Sequence, residues 1–254
     1  MPATVEGDHY YLDVPLIEGA NSFEIKAADC CGFISEPINL TVNADFTAPI
    51  PNIISSFDTY TNNPNPTFQV SSNEEQSTFL CWFDWVNFFL CDNGVSFTDL
   101  PEGNHTLEVV AVDRAGNQSD FFPYYFVNDY TKPEIADFFP KDNALVNYLP
   151  KFIFAMINEI NPVNPDADLK LDGISINTNL DPENKLFFAD FPKEIAEGNH
   201  TFTFSMTDAA GNESDVFTST VLKDVTPPKI TSVTPINGYL TNVLNHDIII
   251  TVEE

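Results

Sequence analysis

Carboxylate side chains are the groups in this chain best suited to chemistry, and several recur at fixed spacing. The 254 residues include 38 acidic and 10 basic side chains, which gives a formal net charge of −28. An aspartate opens the motif Asp-x-Thr-x-Pro at Asp45, Asp129 and Asp224, and another opens Asp-x-Ala-Gly-Asn at Asp113 and Asp208. Clustered carboxylates are the hard oxygen ligands that calcium prefers. A surface of this charge repels nucleic acid and anionic membranes.

Other residues with catalytic potential form no known constellation. Two of the four histidines, His105 and His200, occupy equivalent places in a repeated phrase, which favours packing or capping. The sequence contains no nucleophile elbow, no glycine-rich phosphate loop and no helix with paired histidine ligands. Acidic pairs are plentiful, but a glycosidase also needs a cleft, and no cleft-forming insert is evident. We therefore predict a protein that is not an enzyme and has no catalytic residues.

One phrase occurs three times and sets the organisation of the chain. Residues 102–119 read EGNHTLEVVAVDRAGNQS, residues 197–214 read EGNHTFTFSMTDAAGNES, and residues 18–35 read EGANSFEIKAADCCGFIS. The glycine of each phrase and the proline of each Asp-x-Thr-x-Pro advance by the same steps, 84 and then 95 residues. Two landmarks that move together indicate tandem domains. In chain order, we predict the C-terminal half of a domain at 1–45, complete domains at 46–129 and 130–224, and the N-terminal strands of a further domain at 225–254.

The repeated phrase alternates between apolar and polar residues. Leu107, Val109 and Ala111 share one face, which is the pattern of a half-buried strand. A turn rich in Gly and Asn follows, then a second strand, so each phrase begins a hairpin. Upstream, further short strands are predicted between Asn, Pro and Gly turns, which together indicate an all-β fold of antiparallel β-sandwiches. They lie at Pro49–Ile54, Pro66–Ser71, Thr78–Phe83 and Val95–Thr98, and at Pro133–Phe139, Pro150–Met156, Leu169–Ile176 and Leu186–Ala189.

The phrase, followed by Asp-x-Thr-x-Pro, resembles the bacterial immunoglobulin-like (Big-type) tandem repeats of surface adhesins and other extracellular repeat proteins. The resemblance covers essentially the whole chain and implies immunoglobulin-like sandwiches in modular, mostly non-catalytic stalks at the cell surface. It names no ligand. The first copy departs from the pattern, because Cys30, Cys31 and Phe33 replace the residues of the usual turn. The turn geometry there is left open.

The cysteines allow several pairings. Some repeats of the resembled kind carry a Cys before and after a similar hairpin, which implies a Cys81–Cys91 disulfide, and an even count outside the cell favours disulfides. Two buried thiols are the alternative. Cys30 and Cys31 could form a strained ring, stay reduced or bond elsewhere, and an intermolecular bond is a further alternative. No His accompanies them at zinc-ligand spacing.

Calcium is predicted at the domain junctions. In a sandwich of this kind the linker Asp, the end of the second strand and the Asp-x-Ala-Gly-Asn turn lie at one pole, and converging carboxylates repel unless a cation separates them. The alternative is that each Asp only caps its own turn. No compact Asp-x-Asp-x-Asp-Gly loop is present, and no other cofactor is expected. The candidate ligands are Asp45, Glu74, Glu75 and Asp113; Asp129, Glu159, Asp208 and, as a further candidate, Asn212; and Asp224, Glu253 and Glu254, with Asp29 of another copy.

Two other sets of residues are candidates for contact or modification. Trp82, Trp85, Phe88 and Phe89 form the densest aromatic cluster, which packs in the core or binds carbohydrate or a partner. Asn-x-Ser/Thr sequons are candidate glycan acceptors, although most belong to the repeated phrase and suit turn chemistry. These sequons begin at Asn39, Asn104, Asn117, Asn199 and Asn212.

The leading prediction is an extracellular, cell-surface structural or adhesive protein that forms a stalk or fibre. The last strands, from Lys229, look like the part that the first segment lacks, so the chain is either a fragment of a longer array or a subunit that assembles head to tail. Its predicted partners are further repeats or copies of itself and surface glycans or proteins. No apolar stretch is long enough to span a membrane, and the start lacks the features of a secretion signal. The alternative function is an accessory carbohydrate- or protein-binding module of a secreted enzyme.

Overall fold

The computed structural model describes residues 4–147, 152–190 and 195–253, and every regular element within these ranges is a β-strand. The all-β prediction is therefore confirmed. The chain divides into two compact units, Met1–Asp129 and Tyr130–Glu254. The described residues include no helix long and apolar enough to cross a bilayer.

Two hairpins precede the first sandwich. Strand β1 (Thr4–Glu6) pairs with β2 (His9–Tyr11), and β3 (Gly19–Ile25) pairs with β4 (Ile38–Ala44), all antiparallel. The turn after β3 keeps the usual geometry despite its two cysteines. Asp29 Oδ1 accepts hydrogen bonds from the backbone N–H groups of Cys31 and Phe33, both at 2.9 Å.

The first sandwich contains eight strands in two sheets. The three-stranded sheet has the order β10-β7-β5, and the five-stranded sheet has the order β6-β12-β11-β8-β9. All pairings are antiparallel except that of β6 with β12, which is parallel. The strands are β5 (Pro51–Ser55), β6 (Tyr60–Thr61), β7 (Thr67–Ser72), β8 (Thr78–Phe83), β9 (Asn87–Leu90), β10 (Val95–Ser96), β11 (Gly103–Val112) and β12 (Phe122–Asn128).

Alternation along β11 builds the core of this sandwich. Leu107, Val109 and Ala111 are completely buried, as the sequence pattern predicts. They face the apolar residues of the opposite sheet, and the rings of Phe68 and Phe126 meet at 5.1 Å between centroids. Burying side chains of this size stabilises a fold by about 1.5–3 kcal/mol each.

The second sandwich repeats this plan. Its sheets have the orders β13-β15-β19-β18 and β14-β21-β20-β16-β17, and β14 pairs with β21 in parallel. Phe187, Phe202 and Phe204 are buried at its centre. The strands are β13 (Glu134–Phe139), β14 (Ala144–Val146), β15 (Phe152–Asn158), β16 (Asp168–Leu171), β17 (Ile174–Ile176), β18 (Asn179–Asp181), β19 (Leu186–Asp190), β20 (Gly198–Ser205) and β21 (Phe217–Lys223). A last hairpin joins β22 (Lys229–Thr234) to β23 (Ile249–Glu253).

The structure corrects one predicted strand and adds others. The predicted strand Leu169–Ile176 is wrong as a single element, because Asp172 and Gly173 have positive φ angles and split it into the hairpin β16–β17. The short strands β6 and β14 were not predicted. They are too short to give a periodic signal. They form by pairing with the edges of β12 and β21, which would otherwise present unpaired backbone groups.

A histidine–aspartate clamp fixes the same hairpin in each sandwich. His105 Nδ1 lies 2.8 Å from Asp84 Oδ2, and His200 Nδ1 lies 2.7 Å from Asp172 Oδ2. The other aspartate oxygen accepts the backbone N–H of the residue after each histidine, at 2.8 and 2.9 Å. The clamp therefore ties the turn after β8 or β16 to the start of β11 or β20. This agrees with the predicted packing role of the two histidines.

The cysteines adopt two different states. Cys81 on β8 and Cys91 just after β9 form a disulfide across the β8–β9 hairpin, with Cα atoms 5.9 Å apart. Cys30 and Cys31 are exposed free thiols, with sulfur atoms 3.9 Å apart.

We expect the disulfide to stabilise the first sandwich. Closing a loop with a sequence separation of 10 residues lowers the entropy of the unfolded chain, so Cys81→Ala with Cys91→Ala should cost about 2–3 kcal/mol. Urea unfolding followed by tryptophan fluorescence measures this, since both tryptophans lie on this hairpin. The matched control is Cys30→Ser with Cys31→Ser, which should leave the midpoint unchanged. Equal midpoints for both double variants would contradict the expectation.

The second clamp predicts a pH-dependent stability. The hydrogen bond to Asp172 and the Ala196 carbonyl raise the pKa of His200 above 6.5, outweighing burial. Burial raises the pKa of Asp172, but hydrogen bonds from His200 and Thr201 hold it below 3.8. Stabilisation by His200 is thus fully present below its unfolded pKa and is lost as pH rises through the folded value. Stabilisation by Asp172 is lost as pH falls through its own folded value.

His200→Gln should therefore cost about 1–2 kcal/mol near pH 5, discounted for the half-exposed Asp172, and less above pH 8. Thermal melting across this pH range measures the difference. His246→Gln, at an exposed position of the same unit, is the control. A cost that is independent of pH would show that His200 acts by packing alone.

Candidate cation site

Three of the predicted calcium ligands converge in the first unit. Asp45 follows β4, Glu74 follows β7, and Asp113 follows β11. One carboxylate oxygen of each lies within 4.8 Å of the other two. None of the ion pairs found among the described residues involves these carboxylates. Three of the four carboxylates predicted for this junction are therefore brought together, and Glu75 is not part of the group.

The Asp113 turn has its own internal bonding. Asp113 Oδ1 accepts hydrogen bonds from the N–H groups of Gly116 at 2.7 Å and Asn117 at 2.8 Å, and Oδ2 accepts one from Asn117 Nδ2 at 2.7 Å. Burial raises the pKa of Asp113, but these bonds outweigh it, so the pKa lies below its ordinary value. The same Nδ2 donates to the carbonyl of Asp45 at 2.9 Å and so ties the linker to the turn.

Glu74 is the carboxylate of this cluster whose ionised form is disfavoured. Burial makes the largest contribution to its raised pKa, and the negative charges of Asp45, Asp113 and Glu18 add to it. The ionised carboxylate is therefore destabilised by its surroundings, in contrast to Asp113. A divalent cation with oxygen ligands would relieve this repulsion.

Other candidate ligands serve local turns. Asp208 repeats the turn bonding of Asp113, accepting from the N–H and Nδ2 of Asn212, both at 2.8 Å. Glu159 Oε1 accepts the N–H of Asn161 at 2.9 Å, and Asp224 Oδ1 accepts that of Thr226 at 2.9 Å. Glu75 and Glu253 are exposed, and Asp129 is buried at the end of the first unit. Glu254 lies outside the described residues, and calcium at the later junctions stays a prediction.

Sequence reasoning missed the glutamates that hold the linkers. Glu18 Oε2 accepts the N–H of Phe46 at 2.8 Å, and Glu197 Oε1 accepts both the N–H and the hydroxyl of Thr226, at 3.0 and 2.7 Å. Each glutamate is the first residue of the repeated phrase and directly precedes its glycine. Its recurrence beside that glycine was the available signal.

The candidate glycan acceptors fall into two groups. Asn39, Asn104 and Asn199 are exposed on strands β4, β11 and β20. The amide nitrogens of Asn117 and Asn212 instead donate to the turn aspartates, and Asn212 is buried. A glycan on either of these two would replace one of the two N–H donors of an amide that bonds the turn.

The predicted aromatic cluster divides between two faces. Phe89 packs against the core of the first sandwich. Trp82 lies on the outward face of the five-stranded sheet, 6.3 Å from Trp85 and 5.4 Å from Phe88 between ring centroids. Phe121, which the sequence pattern did not single out, joins Trp82 at 5.6 Å. It comes from the segment before β12, which only folding brings near β8.

Known proteins resemble the chain at low identity. The fibronectin(III)-like modules of Clostridium thermocellum CbhA are 15% identical with a TM-score of 0.43, covering 68% of this chain and 94% of theirs. The sialic acid binding region of a Streptococcus sanguinis SK1 adhesin is 14% identical with a TM-score of 0.31, covering 89% of this chain and 60% of its own. No curated protein matches the chain.

A family comparison identifies one part of the chain directly. The family described as bacterial Ig-like domain matches residues 151–225, which include strands β15 to β21 of the second sandwich. The first sandwich has the same phrase, the same clamp and the corresponding parallel strand pair. The chain thus contains successive immunoglobulin-like β-sandwiches, and residues 151–225 of the second are similar to the bacterial Ig-like domain family.

Proposed function

We propose that this chain is an extracellular structural and adhesive protein whose successive sandwiches act as spacer domains of a stalk or fibre at the cell surface. The recurrence of one sandwich plan carries the proposal, and two of the linkers share the same bonding. The glutamate that begins the phrase, Glu18 in the first hairpin segment and Glu197 in the second sandwich, accepts a hydrogen bond from the linker backbone, which limits rotation there. The Cys81–Cys91 disulfide supports an oxidising compartment.

The hairpins outside the two sandwiches support head-to-tail assembly. Strands β3 and β4 expose Ile25, Ile38 and Leu40, and strands β22 and β23 expose Val233 and Ile250, among other large apolar residues. Equivalent faces are buried inside the complete sandwiches. A two-stranded sheet is marginally stable alone, and contiguous exposed apolar surface marks interfaces.

The proposed occupant of each hairpin face is the other hairpin, from a neighbouring copy or repeat. Strands β22–β23 supply the first strands of a sandwich and β3–β4 supply the last, so together they would enclose one core. Because the two surfaces differ, the contact is heterologous, and if it does not close it extends into a filament.

Mass measurement over a wide concentration range tests the assembly. The average mass from light scattering should rise with concentration, and Ile250→Asp should abolish the rise because it places a charge in the apolar contact. Thr251→Asp is the matched control, since it adds the same charge on the next residue of β23, whose side chain points to the opposite face. A monomer at every concentration would contradict assembly between copies.

We also propose that Asp45, Glu74 and Asp113 bind a structural calcium ion that stiffens the first linker. The observation behind it is the convergence of three carboxylates, of which Glu74 has its ionised form destabilised by burial and by the charges of the others. At a free calcium concentration of 100 times the dissociation constant, the first sandwich should gain about 2.7 kcal/mol.

Thermal melting with calcium and with chelator measures this gain. Glu74→Gln should lose it, and in chelator this variant should melt above the wild type because it removes the repulsion. Glu75→Gln, an exposed neighbour with the same charge change, is the control. Equal calcium responses in the two variants would contradict the proposed site.

In chelator, the stability of the wild type should also rise as pH falls towards the raised pKa of Glu74, because the folded state binds the proton more tightly than the unfolded state does.

A further inference from the structure

The outward faces of the two five-stranded sheets differ in character although the folds correspond. In the first sandwich, Trp82, Glu108 and Pro123 are direct partners across β8, β11 and β12. The second sandwich, aligned through its clamp, carries only polar side chains at the corresponding positions of β16, β20 and β21. Those residues are Lys170, Thr203 and Thr218. The fold itself therefore does not require an aromatic outward face.

Trp85, in the turn after β8 beside this outward face, has a backbone conformation that is unusual for a bulky residue. It follows the clamp residue Asp84 with φ 60°, whereas the second sandwich has Gly173 with φ 80° after Asp172. A bulky residue in the left-handed region is strained, and glycine is the usual solution. The Trp85 side chain is 65% exposed, so little burial compensates for the strain. Strain kept at an exposed aromatic ring points to use by a ligand.

Glu108 supplies the second, independent observation. It is 5% exposed, and its Oε2 atom is buried without a hydrogen-bond partner among the described residues. Burial raises its pKa. A buried carboxylate oxygen without a donor is costly, and the equivalent Thr203 shows that the strand does not require a carboxylate at this position. The unpartnered group lies next to Trp82, within the aromatic face.

No ion pair found among the described residues involves Glu108. The first unit contains one lysine, Lys26, one arginine, Arg114, and the histidines His9 and His105, of which His105 is held by Asp84. Lys26 pairs with Glu24. Arg114 lies in the turn beyond the end of β11. A donor from a binding partner would satisfy the unpaired Oε2 atom of Glu108.

We propose that the outward face formed by Trp82, Trp85, Phe88, Phe121 and Glu108 binds an arginine side chain of a partner polypeptide. A guanidinium group stacks on aromatic rings and donates paired hydrogen bonds to a carboxylate. A quaternary ammonium group has no N–H to donate, and a sugar hydroxyl leaves the charge of Glu108 unpaired. The net charge of −28 adds long-range attraction for a basic segment. The proposal does not depend on the assembly or calcium proposals, which concern other surfaces.

The chain carries its own reporter for this site, because its only two tryptophans are Trp82 and Trp85. Titrating the full chain with an oligo-arginine peptide should change tryptophan emission saturably, with affinity measured in parallel by calorimetry. Glu108→Gln should weaken binding by at least about tenfold. It should leave the urea midpoint equal or higher, since it removes a buried unpaired charge. Glu183→Gln, an exposed position in the second unit, controls for net charge and should bind as the wild type does.

Trp85→Gly separates binding from folding. This change installs the residue that the second sandwich uses in the same turn, so the variant should be at least as stable as the wild type and still bind more weakly. The proposal is overturned if Glu108→Gln and Trp85→Gly both bind as Glu183→Gln does. It is equally overturned if the same emission change follows from a neutral oligosaccharide, from a quaternary ammonium salt or from concentrating the protein alone.

Discussion

In a β-sandwich only one face of each sheet packs into the core between the sheets, and most of what distinguishes the two domains follows from this constraint. Along β11 the residues Leu107, Val109 and Ala111 are committed to the core by the two-residue period of the strand. The residues between them face outward and are free to vary as long as they stay compatible with a strand. The inward faces of the two domains are accordingly similar in kind, while their outward faces are aromatic in one domain and polar in the other.

The same constraint explains how much the sequence could predict. Alternation in the repeated phrase predicted β11 and β20 with their inward faces, and the repeated Asp and Gly predicted their turns. Long strands with one buried face carry a periodic signal, whereas β6 and β14 do not. The burial of Glu108 and the contact of Phe121 with Trp82 arise between strands that are distant in sequence, so no local pattern reports them.

The cation site shows the same division between local and non-local information. The topology of a sandwich was enough to bring Asp45, Glu74 and Asp113 together in prediction. It did not predict that Glu159 would bond the backbone of its own turn at Asn161. Asp113 also bonds its own turn and still lies in the cluster, so the place of a carboxylate relative to a shared site depends on the length and conformation of the loop around it. Loops of this kind differ between the two domains even though the strands correspond.

The parallel pairing of β6 with β12, and of β14 with β21, has a mechanical consequence. In each sandwich a strand near the beginning of the domain runs alongside the last strand in the same direction. Tension applied through the preceding and following linkers pulls such neighbours in opposite directions, so their hydrogen bonds are loaded together in shear and cannot open one at a time. A chain under load would therefore resist extension at the very place where its domains connect to the rest of the polypeptide.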